Sequence, residues 1–571
     1  WDLGKKVCVI EERGGLGGTA VWGGALGGKV ILQFGKGLRF ARPYLKDQTA
    51  DTTWVWDQMK TRVREALLER AMMLDRQLIA LGQTKTFNRP KLKRAQRSGT
   101  IERWKGKAKF LSPNTVQVGE EMVIRAANFL VCTGSTPKRL TKFPADGKYI
   151  ITPREIAVLD KLPRSAVVLG CGAVGCEVAT LLASIGGDGS NIHLVNSSAA
   201  PFGDDDNDVS EYVEFILAED GVQLHNSAKL EFAKVHEDKG LIECRIMKTL
   251  PMIAENTSDG PGIPRQVRKT FWVEQLILCN GRQPNTNCLD LATAGVELDG
   301  NGGIMVDEGC RSISAPHIMA AGDVTGRSGT TAIAENEARY AVEVMFSPEV
   351  ASKPAFESAS SVLNLATPIA CVGMGEEEAR RRQIPHVVAK VDLAHSTFGL
   401  IRKFGKVKRV PDEPDGQVVE EMDPREAAYK DLNLEPEPTE PLDEHQQGFV
   451  KILVCNDETQ RLLGVRVAGD NAESIVQAAA VMIATKQHIR HLARAPGPYH
   501  SILEGVQECV RSVLGTSIHK VHVFPESQAY VRPYHPELEG MGVKEHDPVT
   551  GQVVTEPLER GGRLKVPTWG E

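Results

Sequence analysis

Short apolar stretches that end in glycine turns recur along the first two thirds of the chain. The segments KKVCVIE, NFLVC, AVVL, QLILCN and HIMAAG have this form, and each predicts a buried strand. Residues 54–82 carry apolar positions at helical spacing with charges on the opposite face, which predicts an amphipathic helix. Strands that alternate with helices in this way predict parallel sheets and an α/β fold.

The pattern changes from about residue 353. The segment GFVKILVCNDETQRLLGVRVAG predicts an antiparallel hairpin that turns at NDETQ, and NAESIVQAAAVMIATKQ predicts a helix after it. Because both elements are strongly apolar, we interpret them as a buried interface with a second subunit.

Two internal segments depart from this patterning. Residues 85–106 are basic and contain a proline, so we expect a solvated loop, with contact to an anionic partner as the alternative. Residues 403–446 begin basic, at Lys406, Lys408 and Arg409, and become acidic and proline-rich. This insertion cannot bury enough apolar surface to form a core, and we expect it to bind another protein or to remain a solvated linker.

The tail over 519–571 is rich in proline and in turn signals. Its composition predicts either disorder or an extended segment that wraps a protein partner. Tyr530, Pro533 and Tyr534 are the expected anchors, since aromatic side chains carry much of the binding energy at interfaces.

The composition argues against nucleic-acid-binding and membrane-spanning proteins. The 571 residues predict roughly two to four domains. The net charge of -6 gives no reason to expect a nucleic-acid partner, and no apolar run approaches the ~20 residues of a membrane span. The eleven cysteines are scattered, so a disulfide framework is not expected and the compartment is predicted to be reducing. No metal site is predicted.

The run from Gly170 to Gly175, GCGAVG, fits the dinucleotide fingerprint between a predicted strand and a predicted helix. Gly170 makes the turn, Gly172 lets the backbone approach a pyrophosphate, and Gly175 packs the helix on the strand. Asn196 ends the next strand, where an acid would hold the ribose, and an amide binds a ribose more weakly than a carboxylate does.

Cys171 and Cys176 form a C-x4-C spacing inside this fingerprint. A redox pair is one interpretation, because a helix N-terminus favours a thiolate. Two small packing residues in a tight turn are the favoured interpretation.

Several motifs occur together in one order: VIEERGGLGGT, VCTGS, LGCGAVGCE, CNGRQPNT and AAGDVTG. In this order the chain resembles the pyridine nucleotide–disulfide oxidoreductases, such as dihydrolipoamide dehydrogenase, glutathione reductase and mercuric reductase. The resemblance covers about residues 3–515 apart from insertions. It implies FAD and either NAD or NADP as cofactors, on opposite sides of a redox-active dithiol.

The resemblance implies a set of cofactor-binding residues in addition to those of the fingerprint. Lys29 and Glu177 match an ion pair beside the flavin ring, with two separate surface charges as the alternative. The positions that match the flavin-binding surface are Glu11, Gly17, Gly18, Thr19, Thr133, Gly134 and Asp323. Gly281 of CNGRQPNT is a further predicted cofactor-binding position.

The departures from the family pattern concern the dithiol. The two cysteine positions hold Ala20 and Ala25, which have no thiol. The position of the family's proton-transferring histidine holds Tyr499, with His500 one place later and Glu504 at the acid position. We therefore assign no catalytic residue. The chain also opens near the end of the family's first Gly-x-Gly-x-x-Gly helix, and we expect that helix to lie upstream.

The predicted fold is α/β, with two Rossmann-like dinucleotide-binding domains of FAD and NAD(P) type and an α+β dimerisation domain. The domains are predicted at 1–150 and 282–352 for the FAD type, 151–281 for the NAD(P) type, 353–518 for dimerisation with the insertion 403–446, and 519–571 for an extension.

The predicted function is that of a degenerate family member, a structural or assembly subunit of a larger complex. The alternative is an NAD(P)H-dependent FAD oxidoreductase that works without a dithiol, of diaphorase or transhydrogenase type. We expect a homodimer, with further protein partners on the insertion and the tail. The resemblance predicts a mitochondrial location, with the cytoplasm as alternative.

Overall fold

A computed structural model of the protein describes residues 3–13, 15–41, 52–83, 86–87, 96–97, 99–120, 122–186, 190–203, 205–249, 266–327, 329–393, 396, 448–498, 501–517, 530–536, 545–546 and 553–554. The chain forms two compact units. The first comprises Trp1–Arg39 and Asp47–Ala366, and the second comprises Phe40–Lys46 and Thr367–Glu571.

The helices are α1 Gly18–Trp22, α2 Ala25–Ala41, α3 Thr52–Gln83, α4 Ala173–Gly186, α5 Asn207–Glu219, α6 Thr331–Phe346, α7 Glu376–Arg381, α8 Ala472–Ala484, α9 Arg490–Arg494 and α10 Leu503–Val513. The helix expected over 54–82 is confirmed as α3. No helix in the described ranges is long and apolar enough to cross a membrane.

The strands of the first unit are β1 Lys6–Glu11, β2 Thr86–Phe87, β3 Gln96–Arg97, β4 Thr100–Lys105, β5 Ala108–Ser112, β6 Thr115–Val118, β7 Met122–Arg125, β8 Phe129–Val131, β9 Ser135–Pro137, β10 Ile150–Ile151, β11 Ser165–Leu169, β12 Asn191–Val195, β13 Gln223–His225, β14 Ala228–His236, β15 Leu241–Thr249, β16 Gln266–Val273, β17 Gln275–Leu278, β18 Arg282–Pro284, β19 Ile318–Ala320 and β20 Ser360–Leu363. Those of the second are β21 Ile369–Gly373, β22 His386–Asp392, β23 Phe449–Cys455, β24 Leu462–Ala468, β25 Tyr530–Tyr534, β26 Glu545–His546 and β27 Val553–Val554.

The first unit contains a five-stranded parallel sheet in the order β10-β17-β11-β12-β13. Val167 and Val168 of β11 are fully buried, as expected for a strand that helices or sheets cover on both faces. The helix α4 packs on β11 and β12, and small residues such as Ala179 and Ala183 let it approach closely. This is the strand-turn-helix unit that the fingerprint predicts.

Two further parallel pairs belong to the segments with FAD-type motifs. β8 pairs with β19, and the apolar side chains around them form a core with the three-stranded sheet β5-β6-β7. β1 pairs with β4 over the whole of Thr100–Lys105. The expectation of a solvated loop is therefore wrong for these six residues, which supply the backbone partners of β1. Most of residues 85–98 lie outside the described ranges.

Five strands of the second unit lie side by side in the order β21-β24-β23-β22-β25. β23 and β24 form the antiparallel hairpin expected from the sequence, and α8 confirms the helix after it. The apolar face of α8 packs on β21 and β24 of its own sheet, and its outer face bears Val481 at 55% exposure. The helix thus packs its apolar stripe within the unit, and the expectation that the hairpin and this helix form an intersubunit surface stays a prediction.

The strand β25 comes from the C-terminal tail. Residues Tyr530–Tyr534 pair antiparallel with β22, so this segment forms an edge strand of the protein's own sheet. Pro533 is tolerated there because an edge strand needs to donate hydrogen bonds on one side only. Tyr534 stacks on His386 of the same unit, and the expectation that these residues anchor a partner stays a prediction. The insertion 403–446 lies outside the described residues.

Candidate dinucleotide-binding site

The turn after β11 is shaped by two glycines that have no room for a side chain. Gly170 has φ +107°, and a Cβ on it would lie 2.5 Å from the carbonyl oxygen of Cys279. A Cβ on Gly175 would lie 1.8 Å from the carbonyl oxygen of Gly170, so the first turn of α4 packs directly on the turn. Gly172 faces open space. The backbone amides at the start of α4 lack intrahelical partners and are available to a pyrophosphate.

Asn196 lies at the carboxyl end of β12, as predicted, but its side chain is engaged by the protein. Its carbonyl oxygen accepts a hydrogen bond from Ser198 N at 3.1 Å, and its amide donates to Asn226 Oδ1 at 2.9 Å. The residue is 6% exposed. Asn196 therefore fixes the loop after β12, and ribose binding by it stays a prediction.

The first FAD-type motif runs from the end of β1 into α1. Glu11 Oε1 accepts a hydrogen bond from Arg13 N at 2.9 Å. Gly17 and Gly18 both have positive φ, and a Cβ on Gly17 would lie 2.3 Å from Val21 Cγ2. Thr19 Oγ1 donates to the carbonyl oxygen of Ser135 at 3.3 Å, and this hydrogen bond joins α1 to the VCTGS motif.

Asn285, which was not predicted as a site residue, holds the VCTGS and CNGRQPNT motifs together. Its side-chain amide donates to the carbonyl oxygen of Thr133 at 2.9 Å, and Thr133 Oγ1 donates to the carbonyl oxygen of Asn285 at 2.8 Å. Gly134 lies beside this contact and Gly281 at the other end of the β9–β18 pair, and both glycines have positive φ. The NGRQPN motif therefore fixes the turn at Gly134.

Asp323 is placed by two other residues that were not predicted. Ser135 Oγ donates to Asp323 Oδ2 at 2.5 Å, and Arg282 Nε donates to Ser135 Oγ at 2.7 Å and lies 3.5 Å from Asp323 Oδ2. Burial lowers the pKa of Arg282, and the neighbouring Asp323 opposes that shift. Glu337 of α6 supports the same turn, because its carboxylate accepts a hydrogen bond from Gly322 N at 2.7 Å. Ser135 and Arg282, which were not predicted as site residues, lie inside the predicted motifs VCTGS and CNGRQPNT.

Lys29 and Glu177 meet across α2 and α4. Lys29 Nζ lies 2.6 Å from Glu177 Oε1, so the ion pair is confirmed and the alternative of separate surface charges is wrong. The backbone and side-chain nitrogens of Asn364 donate to the same oxygen at 2.9 and 3.0 Å. Glu177 follows Gly175 by two residues, so one helix carries both the dinucleotide turn and this carboxylate.

The dithiol positions carry methyl groups. Ala20 lies inside α1, and Ala25 is exposed and begins α2 after a break at Gly23 and Gly24. Tyr499 and His500 lie outside the described residues, while Glu504 stands in the first turn of α10.

The sequence profile of the pyridine nucleotide-disulphide oxidoreductases matches residues 2–338, and the profile of their dimerisation domain matches residues 424–510. The chain belongs to the pyridine nucleotide-disulphide oxidoreductase family. The predicted fold is confirmed, with FAD-binding, NAD(P)-binding and dimerisation domains. The family is FAD-dependent and uses NAD(P)H, in agreement with the predicted cofactors.

Curated relatives in this family cover most of the chain. A mitochondrial dihydrolipoyl dehydrogenase of Schizosaccharomyces pombe is 24% identical over 91% of this chain and 87% of its own length. A mercuric reductase of Lysinibacillus sphaericus is 25% identical over 89% of this chain and 78% of its own length. A soluble pyridine nucleotide transhydrogenase of Colwellia psychrerythraea is 22% identical over 68% of this chain and 76% of its own length.

Solved structures of the family share the fold. The structure of LpdA from Mycobacterium tuberculosis has a TM-score of 0.66 at 20% identity and covers 89% of this chain and 94% of its own. The HOCl-induced flavoprotein disulfide reductase RclA from Escherichia coli has a TM-score of 0.63 at 19% identity, with the same coverage.

The family's cofactors fit the residues present. Gly172 leaves space above the start of α4 for a pyrophosphate, and Gly18 and Gly134 have open space where a Cβ would point. Glu11 and Asp323 offer carboxylates at the ends of β1 and β19. These residues would hold the two dinucleotides of a pyridine nucleotide-disulphide oxidoreductase.

Proposed function

We propose that the protein is an NAD(P)H-dependent FAD oxidoreductase that delivers electrons to an acceptor without the dithiol of the family. It would act as a diaphorase or a transhydrogenase does. The main support for this proposal is the Lys29–Glu177 ion pair, in which Asn364 donates a hydrogen bond to the same carboxylate oxygen. Bound FAD would supply two-electron chemistry with NAD(P)H. The ion pair would set the local charge beside it.

Each protein group has a separate task in this function. The amides at the start of α4 bind the pyrophosphate of NAD(P)H, and Gly172 keeps the approach open. Asp323 and its partner Ser135 orient the flavin-side motif. Lys29 places a positive charge that stabilises negative charge developing nearby, and Glu177 keeps that lysine in place. Neither Ala20 nor Ala25 can carry electrons onward, so the acceptor must be reached directly.

A second candidate is a non-catalytic subunit of a larger assembly. It is favoured by the two alanines at the dithiol positions and by the engagement of Asn196 within the protein. In both cases we propose a homodimer through the dimerisation domain, in a mitochondrial or alternatively a cytoplasmic setting.

The deciding experiment measures flavin content and electron transfer together. The purified chain, incubated with FAD and freed of excess, is expected to hold close to one FAD per chain by absorbance. It should then oxidise NADH or NADPH with a quinone or ferricyanide as acceptor, and not with lipoamide. Binding of FAD without any oxidation of either nicotinamide, or no binding of FAD, would favour the non-catalytic candidate.

A further inference from the structure

Two thiols lie together under the dinucleotide turn, outside the site of the family's dithiol. Cys171 stands in the turn and Cys176 in the first turn of α4, and their Sγ atoms are 3.6 Å apart. Both are free thiols, at 8% and 0% exposure. We propose that Cys171 and Cys176 form a peroxide-sensitive dithiol, and that its oxidation to a disulfide weakens NAD(P)H binding at the adjacent turn.

The distance fits a pair that can close. A disulfide has an Sγ–Sγ bond of about 2.05 Å, so the two sulfurs must approach by roughly 1.5 Å. The sulfurs already face each other within a buried contact, and no other side chain has to leave from between them. Small shifts of side-chain torsion angles and of the turn therefore bring them to bonding distance.

The difference in burial between the two thiols determines which of them reacts first with an oxidant. Cys176 is fully buried, and its hydrogen bond with Cys171 and its burial both raise its pKa. Cys171 retains a small exposed surface at the turn. A small oxidant therefore reaches Cys171 first, and Cys176 acts as the second thiol. Hydrogen peroxide is small enough for that opening.

The chemistry balances with one peroxide. The Cys171 sulfur, on losing its proton, attacks one oxygen of hydrogen peroxide, so that an S–O bond forms and the O–O bond breaks. The released hydroxide takes up the proton lost by Cys171 and becomes water. Cys176 Sγ then attacks Cys171 Sγ, the S–S bond forms, and the S–O bond breaks. The departing hydroxide takes the Cys176 proton, so the pair loses two electrons and the peroxide becomes two waters.

Formation of the disulfide is expected to move the backbone of the turn that binds NAD(P)H. Gly170 and Gly175 are in contact through backbone atoms, so the turn cannot absorb a movement of Cys171 between them. The peptide units of Gly172 and Ala173, which directly follow Cys171, must move with it. Those amides are the ones assigned above to the pyrophosphate, so this effect rests on the proposed function.

The position of Cys176 adds a second consequence. It stands between Gly175 of the turn and Glu177 of the ion pair, on consecutive residues of α4. Any rotation of this first helical turn is transmitted to the carboxylate that holds Lys29 at 2.6 Å. Oxidation is therefore expected to alter both the nucleotide turn and the ion pair.

The test uses the full chain and peptide mass spectrometry. Cys171 and Cys176 fall in one tryptic peptide, residues 165–229, which contains no other cysteine. One equivalent of hydrogen peroxide should therefore remove both alkylation sites and lower the peptide mass by two hydrogen atoms. Dithiothreitol should restore both sites. Oxidation of the exposed Cys8 and Cys288 with both sites on this peptide still alkylated would overturn the proposal.

Nucleotide binding is measured on the same samples. The dissociation constant for NADH or NADPH should rise by at least about fivefold on oxidation and recover on reduction. Cys176→Ser should abolish the disulfide and the reversible change, whereas Cys288→Ser, at an exposed cysteine, should leave both. An oxidised pair with unchanged affinity would refute the effect on binding. Reduced protein that binds neither nucleotide would refute the proposed function instead, and the mass measurement would still decide the disulfide.

Discussion

Lys29 Nζ on α2 lies 2.6 Å from Glu177 Oε1 on α4, although the lysine side chain is 50% exposed and the carboxylate only 16%. The carboxylate is anchored by Asn364 through two hydrogen bonds, so the lysine joins a site that is already fixed. An exposed ion pair adds little to stability. The fixed position of the Lys29 ammonium group therefore favours a role in electron transfer over a role in folding.

Replacing Lys29 by Gln tests that distinction. The free energy of unfolding should change by less than about 1 kcal/mol, because the pair is largely exposed on the lysine side. The rate of NAD(P)H oxidation by the FAD-loaded chain should fall by about tenfold, equivalent to about 1.4 kcal/mol. Lys36→Gln, on the same helix, is the matched control and should keep the full rate. Equal rates in the two variants would remove the ion pair from the mechanism.

The protein should not reduce lipoamide or glutathione disulfide with NADH or NADPH. Ala20 and Ala25 offer no thiol to relay electrons, and methyl groups cannot replace one. The measurement is steady-state turnover with each substrate. Turnover that persists in the Cys171→Ser, Cys176→Ser double variant would mean that the redox centre lies elsewhere. Turnover that vanishes in that variant would show that this pair has taken over the relay.

Two glycines of the turn should respond differently to alanine. Gly172→Ala should leave the melting temperature nearly unchanged, since nothing lies within 4 Å of its Cβ position, and should weaken NAD(P)H binding. Gly175→Ala should lower the free energy of unfolding by several kcal/mol, because its Cβ would lie 1.8 Å from Gly170 O. Thermal melts and nucleotide titrations separate the two effects. Unaltered nucleotide affinity in Gly172→Ala would argue against binding at this turn.

Removing the tail strand should destabilise the second unit. Arg532 contacts Glu376, which is 5% exposed and also pairs with Lys451 at 2.7 Å and Arg380 at 2.5 Å. Burial alone would raise the pKa of Glu376, but Lys451, Arg532 and Arg380 together lower it. Truncation before residue 530 takes away one of these cations and the edge strand, and should lower the melting temperature by several degrees.

Truncation after residue 536 is the matched control for that experiment. It keeps β25 and should melt close to the full-length protein, because β26 and β27 pair with each other. If both truncations melt like the full chain, the tail strand contributes nothing to the sheet, and binding of a partner would again explain it.

The buried histidine pair should make stability depend on pH. His193 Nδ1 lies 3.2 Å from His225 Nε2. Burial, assisted by neighbouring cations, lowers the pKa of both to about 4. An unfolded histidine takes up its proton near pH 6.5, so unfolding binds protons, and stability should fall as the pH drops from about 6.5 towards about 4.

His225→Phe checks this dependence, because a phenyl ring keeps the contact with Phe271 and has no proton to bind. Urea unfolding at pH 7 and pH 5 should show a smaller loss of stability in the variant than in the wild type. An equal loss in both proteins would place the acid sensitivity in other groups.

The local pattern of the sequence was sufficient for much of the fold. Apolar runs that end in glycine identified β8, β11, β17 and β19, because each strand contributes buried side chains to a core and each turn needs a residue without a side chain. The motif order also predicted that Lys29 would meet Glu177. Turn chemistry and periodicity are properties of a few adjacent residues, so a single sequence displays them directly.

Long-range pairing decided the rest. Thr100–Lys105 and Tyr530–Tyr534 are polar or contain proline, and they become strands only because β1 and β22 supply hydrogen-bond partners from distant parts of the chain. The engagement of Asn196 and the 3.6 Å contact of Cys171 with Cys176 likewise depend on packing around the turn. The sequence shows which groups are present at such positions, whereas the tertiary structure determines which of them satisfy each other.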